Sequence, residues 1–179
     1  MFSTVSKTKI GYDIDDVDDF FAQARETYEG ITNDILTFRD VNTCVFDTQR
    51  GGYDPAVVDA ALERLEVAFV AKERQEFTAR GGPQVWMAQI SERAQTLYPR
   101  LQRPAGERFS SPSKGPGYAK EEVDVLCKRL IRFFEGKGPL TSADVRAATF
   151  SPARGKLAYE ESSVDAFLAR AVEVLLGVE

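Results

Sequence analysis

The sequence predicts an all-α fold, a helical protein built from four similar loop-helix repeats in two tandem pairs joined by a helical bridge. Three observations predict it. The pattern Tyr-x-x-x-x-Val-Asp occurs four times. Each copy runs on into apolar residues at helical spacing, and no segment shows the strict alternation of a half-buried strand. The copies are Tyr12 to Asp18, Tyr53 to Asp59, Tyr118 to Asp124 and Tyr159 to Asp165, and they take in four of the six tyrosines and every Val-Asp dipeptide of the 179-residue chain. Tyr12 to Tyr53 and Tyr118 to Tyr159 are both steps of 41 residues and Tyr12 to Tyr118 is a step of 106, so the second pair repeats the first.

Each repeat opens on a phenylalanine (Phe2, Phe46, Phe109, Phe150), crosses a loop rich in Gly, Ser and basic residues, and reaches its Tyr 7 to 10 residues later. The motif then reads as a helix start. Tyr at N′ and Val five residues on, at N4, form a hydrophobic staple. The residue after Tyr is the N-cap: Asp13 and Asp54 are good caps, worth about 1 kcal/mol each, whereas Ala119 and Glu160 are weaker. Pro55 takes the favoured first helical position, and the acids that follow each Tyr sit at the positive end of the helix dipole. Beyond Val, apolar residues at +4, +7 and +11 define one face: Phe21, Ala24, Tyr28; Leu62, Leu65, Phe69; Cys127, Leu130, Phe134; Leu168, Ala171, Leu175. Position +3 widens the stripe, and Lys72 and Lys137 at +14 argue against a long coiled coil.

Shorter helices are expected at about 32 to 43 and 141 to 148, the second opened by a capping-box relation between Thr141 and Asp144. Gly81-Gly82-Pro83 ends the second long helix, Gln84 to Leu97 reads as a bridging helix, and Pro99 to Gly106 as a basic linker. The resulting divisions are 1–80 for the first repeat pair, 81–108 for the bridge and linker, and 109–179 for the second pair.

Composition narrows the chemistry. With 43% apolar and 28% charged residues the chain can bury a core. It has no histidine, which removes Ser-His-Asp and Cys-His nucleophile systems, His-ligated zinc and His-based pH switches. Cys44 and Cys127 have no C-x-x-C spacing and suggest a reduced, cytoplasmic chain without a disulfide framework; no signal peptide or membrane-spanning run is expected. The net charge of −5 is uneven. Residues 11–40 carry nine acids against Arg25 and Arg39, while residues 93–120 carry six bases against Glu107 alone. Only that middle stretch is suited to a polyanion, and without helical spacing or interleaved aromatics it does not read as a nucleic-acid surface.

Each candidate has a plainer reading. Cys127 fills the core position of Phe21, Leu62 and Leu168, as a small hydrophobe would. The acids from Asp13 to Asp19 lack the spacing of a calcium loop. Asp18, Asp59, Asp124 and Asp165 recur in every repeat, which points to a common structural role, that of accepting hydrogen bonds from the loop before the Tyr. Trp86 reads as a core residue or as a partner anchor. No metal or cofactor is expected.

The order Leu36-Thr37-x-x-Asp40-Val41-x4-Phe46-x3-Arg50-Gly-Gly52-Tyr53-Asp54-x3-Val58-Asp59-x2-Leu62 resembles the N-terminal domain of the DivIVA family of bacterial division and polar-growth scaffolds. The stretch Leu140 to Leu168, with Phe150, Tyr159 and Val164-Asp165, is similar, and the chain as a whole resembles the DivIVA-domain repeat proteins of high-GC Gram-positive bacteria. That resemblance implies a cytoplasmic, non-enzymatic adaptor at the inner face of the membrane, at septum or poles. Its implied partners are cell-division or envelope-synthesis proteins and an anionic membrane surface; four repeats in one chain without the family's long coiled coil point to a compact adaptor rather than a polymerising scaffold, with a homodimer left open. The resemblance also implies that the loop between Phe and Gly-Tyr touches the membrane with an apolar residue beside a basic one. The second repeat keeps Arg50 but lacks the apolar residue; the better loops are Lys7, Lys9 and Ile10 in the first repeat and Arg154, Lys156 and Leu157 in the fourth. The alternative is a soluble regulatory module for an enzyme, with no membrane role.

Overall fold

A computed structural model describes residues 2–179. The chain divides into two compact units, Met1–Glu76 and Phe77–Glu179, each holding one repeat pair.

In the first unit, β1 (Ile10–Tyr12) leads into α1 (Ile14–Glu29), followed by α2 (Phe38–Thr43), β2 (Thr48–Arg50) and α3 (Pro55–Gly81), which runs on past the unit's end. Asp13 caps α1 by accepting the N–H groups of Asp15 and Asp16 at 2.9 and 3.2 Å. Asp54 does the same for α3 through Ala56 N–H at 3.1 Å. Thr37 and Asp40 close a full capping box on α2. Val17, Phe46, Tyr53 and Val58 form the core where the two motif helices meet, and Ala24, Val41 and Phe69 extend it. Lys72 sits where the expected apolar stripe stops: its ammonium bonds the carbonyls of Thr27 and Tyr28 at 3.0 and 2.6 Å. A cation there offsets the negative end of the α1 dipole.

The second unit contains α4 (Pro83–Gln95) and α5 (Tyr98–Leu101), then β3 (Pro116–Ala119), α6 (Lys120–Phe134), α7 (Ser142–Arg146), β4 (Pro152–Arg154), a 3₁₀ turn (Gly155–Leu157), β5 (Ala158–Tyr159) and α8 (Glu161–Val178). Thr141 and Asp144 form the expected capping box. Trp86 on α4 is 1% exposed, and its indole N–H donates to the Gly177 carbonyl of α8 at 2.8 Å.

The expectation of an all-α fold is corrected by the strands. β1 and β2 form an antiparallel pair, and β4-β3-β5 a three-stranded antiparallel sheet. Each strand has only two to four residues, too few to show alternation, and they fall in the Gly- and Pro-bearing loops before the motif tyrosines. Those loops form strands because each finds a partner in the other repeat of its pair. Such pairing is a tertiary event that periodicity does not register.

Candidate functional site

The four motif tyrosines build one arrangement twice. In the first unit, Tyr12 and Tyr53 exchange backbone hydrogen bonds, N–H to carbonyl, at 3.0 and 2.9 Å. Their hydroxyls cross over: Tyr12 Oη donates to Asp59 at 3.1 Å, and Tyr53 Oη to Asp18 at 3.0 Å. The residue after each Tyr donates its N–H to the residue after the other repeat's Phe, Asp13 to Asp47 and Asp54 to Ser3, both at 2.8 Å. The rings cross too, with Phe2 edge-on to Tyr53 and Phe46 edge-on to Tyr12. Every link runs from one repeat to its mate, so the pair is a closed pseudo-dimer within one unit.

The second unit repeats the scheme. Tyr118 faces Tyr159 in the β3-β5 register, Ala119 and Glu160 donate to the carbonyls of Ser151 and Ser110 at 2.9 Å each, and Phe109 and Phe150 pack on Tyr159 and Tyr118. Tyr159 donates to Asp124 at 3.2 Å, and Tyr118 to Asp165. The role common to all four motif Asp residues is thus to accept the hydroxyl of the paired repeat's Tyr; Asp124 alone also accepts bonds from the segment before its own Tyr, at Gly106 and Arg108. Val17, Val58, Val123 and Val164 are all fully buried beneath these pairs.

Small residues let the loops meet. A Cβ on Gly11 would overlap the Tyr53 carbonyl, one on Gly52 the Tyr12 carbonyl, and one on Gly117 the Tyr159 carbonyl. The fourth equivalent position, Ala158, is fully buried with its methyl accommodated.

Electrostatics separate the four pairs. Burial first, then the motif carboxylate, raises the ionisation of Tyr12, Tyr53 and Tyr118 above the ordinary tyrosine value. Burial also raises Tyr159, opposed by the Arg108 backbone N–H. Asp165 is raised by burial, against the lowering effect of the Tyr118 hydroxyl. Asp124 alone is part of a buried ion pair, taking Arg108 Nη1 at 2.6 Å and the Gly106 N–H at 2.6 Å. Sequence reasoning missed Arg108; it lies in the basic stretch of residues 93–120, but nothing in that stretch marks one arginine as buried.

The loops that the pairing joins end in basic tips. Cross-strand pairing sets Ile10 opposite Arg50, and Gly51 N–H bonds the Lys9 carbonyl at 2.9 Å, so Lys7, Lys9, Ile10 and Arg50 gather at one end of the first sheet. In the second, Pro116 pairs with Arg154 and the turn Gly155–Leu157 follows, which collects Lys114, Arg154, Lys156 and Leu157. Ile10 is 65% and Leu157 76% exposed, and the bases beside them are exposed. Lys114 was not singled out from sequence; its alignment with Lys7 was the available signal.

The remaining candidates occupy structural places. Cys127 is fully buried, and burial pushes its thiol up to about 12 and that of Cys44 to about 11, so neither is a thiolate at neutral pH. Among the acids of α1, Asp16 accepts the Asp47 N–H at 3.1 Å while Asp13 caps and Asp18 holds Tyr53. Among the described residues no group of three or more Cys, Asp or Glu is placed to hold a metal ion, and no helix is long and apolar enough to cross a membrane. Compared with known protein-family models, curated proteins and solved structures, the chain matches none.

Proposed function

We propose that this chain is a non-enzymatic, DivIVA-like adaptor for bacterial cell division or polar envelope growth. In this reading it presents helix faces to division or envelope-synthesis proteins at the cytoplasmic face of the membrane and touches an anionic lipid surface through its loop tips. The observation that carries the reading is the composition of those tips: one exposed aliphatic side chain among three exposed bases at the end of each sheet. Each Lys or Arg near an anionic surface contributes about 1 kcal/mol, and burying one Ile or Leu side chain adds about 1.5–3 kcal/mol. A single tip therefore gives weak, reversible adsorption, as suits an adaptor that moves with the division cycle.

The test combines vesicles with cells. Co-sedimentation with phosphatidylglycerol vesicles is expected for the intact chain, falling in phosphatidylcholine alone and at high salt. A fluorescent fusion is expected to focus at septa or poles in dividing cells of the source organism, and to lose that focus when Arg154, Lys156 and Leu157 are changed to Ser. Diffuse fluorescence throughout the cycle, with capture of metabolic enzymes in place of division proteins, overturns the reading in favour of a soluble regulatory module.

A further inference from the structure

The second unit contains an open cavity of about 430 Å³ between the α4-α5 corner and the first turns of α8. It lies within the size range of pockets that take small ligands, roughly 300–1,000 Å³. Leu97 and Phe167 give it apolar walls, and Arg100, Arg170, Ser162 and Ser163 give it donors.

The charge around it is unbalanced. Arg100 is held by neutral groups: its Nη1 donates to the Arg108 carbonyl at 3.2 Å and its guanidinium lies 4.8 Å from the centre of the Phe109 ring. Arg170 shares one carboxylate with another arginine, since Glu173 sits 3.1 Å from Arg170 and 3.2 Å from Arg93. Glu160 accepts the Ser163 hydroxyl at 2.9 Å. Glu161, next along, acts on the Tyr118–Asp165 pair and does not line the cavity. The cavity's own lining holds two arginines, Arg100 and Arg170, and no carboxylate, so it is suited to an anion. Planar guanidinium groups suit a carboxylate, and the apolar walls suit a short hydrocarbon group attached to it.

We propose that this cavity binds a carboxylate carried on a short apolar group, the carboxylate on Arg100 and Arg170 and the apolar group against Leu97 and Phe167. A free aliphatic acid and a peptide C-terminus ending in Leu or Val share this chemistry. The proposal goes beyond the adaptor reading and is separable from it, because no loop-tip residue lines the cavity.

The test is a nitrogen-15 NMR titration of the full chain with hexanoate and, separately, with the peptide Gly-Ser-Gly-Ser-Val-Leu bearing a free C-terminus. Hexanamide and the amidated peptide are the controls. Shifts confined to 96–100 and 162–170 are expected, with a dissociation constant for hexanoate on the order of 1 mM. Binding by hexanoate alone supports the proposal with a free acid as the source; tighter binding by the peptide supports it with a peptide as the source. Arg100→Gln is expected to weaken either by at least about tenfold. Ala166→Glu, which sets a carboxylate at an exposed position of the rim, is expected to do the same and covers the case in which R100Q disturbs α5. No shift, equal shifts with the neutral controls, tighter binding of inorganic phosphate, or two folded variants that bind normally would each overturn it.

Discussion

The same motif carboxylate carries very different loads in the two units, and Asp124→Ala compared with Asp18→Ala measures the difference. Asp124 and Arg108 side chains are 7% and 6% exposed, and the Arg108 Nε already lacks a partner. Removing the carboxylate deletes the acceptor of Arg108 Nη1, of the Gly106 N–H and of Tyr159. A buried guanidinium left without its counter-charge costs about 3–5 kcal/mol. Asp18 is exposed and holds only the Tyr53 hydroxyl, at 3.0 Å, and water replaces part of what is lost, so D18A costs about 1 kcal/mol. A unit of about 100 residues shifts its Tm by about 4–8 °C per kcal/mol, which puts the D124A transition at least about 12 °C lower. Trp86 is the single tryptophan and is buried in the second unit, so its fluorescence follows that unit while circular dichroism follows the whole chain. Replacing both partners, Arg108→Met with Asp124→Ala, is expected to recover much of the loss because the uncompensated charge is gone. Equal costs for D18A and D124A, or no recovery in the double variant, would refute the assignment of the penalty to a stranded arginine.

Gly117→Ala is expected to lose about 1–3 kcal/mol through overlap with the Tyr159 carbonyl, while Ala158→Gly at the equivalent position of the paired repeat loses less than about 1 kcal/mol; urea unfolding followed at Trp86 compares them. All four motif tyrosines ionise above their ordinary value in the folded chain, so the stability they give is whole below about pH 10 and is lost as pH rises from there through the folded values. In a chain with Tyr28 and Tyr98, the two tyrosines outside the motif, changed to Phe, phenolate absorbance rising together with loss of helix checks this, and phenolate appearing in that chain while it is fully folded at about pH 10 would contradict it. Thr141→Ala is expected to cost about 1 kcal/mol. Thr37 and Thr141 hold Asp40 and Asp144 below the usual carboxylate range, so the carboxylate's share of each capping box is present above about pH 4 and fades as pH falls through the lower folded values; acid titrations of T141A and the parent should draw closer without meeting, because the Thr141 hydroxyl of the parent still accepts the Asp144 N–H.

Local signals carried much of the fold. Asp13 and Asp54 cap the helices they precede, Gly82-Pro83 breaks the chain between α3 and α4, and the Thr141–Asp144 box lies where its spacing places it. These depend on residues within a few positions of one another, which is what a motif encodes. The strands do not. Ile10 needs Arg50, and Tyr118 needs both Pro152 and Tyr159, and none of the short segments concerned looks like a strand alone. Four near-identical motifs also say nothing about which copies join, so the crossed Tyr–Asp bonds were out of reach although every residue in them had been identified. Arg108 was hidden for another reason: among six bases in one stretch, burial is decided by packing against Asp124 and Tyr159, both distant in sequence.

The crossed bonding bears on why the repeats come as fused pairs. In a symmetric dimer of single repeats the two loops at a tip would be identical, because the symmetry operation maps one onto the other. Joining two repeats in one chain keeps the reciprocal Tyr–Asp, Phe–Tyr and backbone exchanges while freeing the loops to differ. They have differed in both units, in opposite order: the first loop of the first pair supplies the exposed Ile10 and its mate Arg50 without an aliphatic residue, whereas the second loop of the second pair supplies Leu157 and its mate Lys114. Pairing demands constancy at Tyr, Val, Asp and the small residue before Tyr; the tips face no such demand. Substitutions at the tips are therefore expected to alter adsorption with little change in stability, and substitutions at the exchange residues to alter stability first. A tip variant such as Leu157→Ser that unfolded the second unit would show the two roles to be entangled.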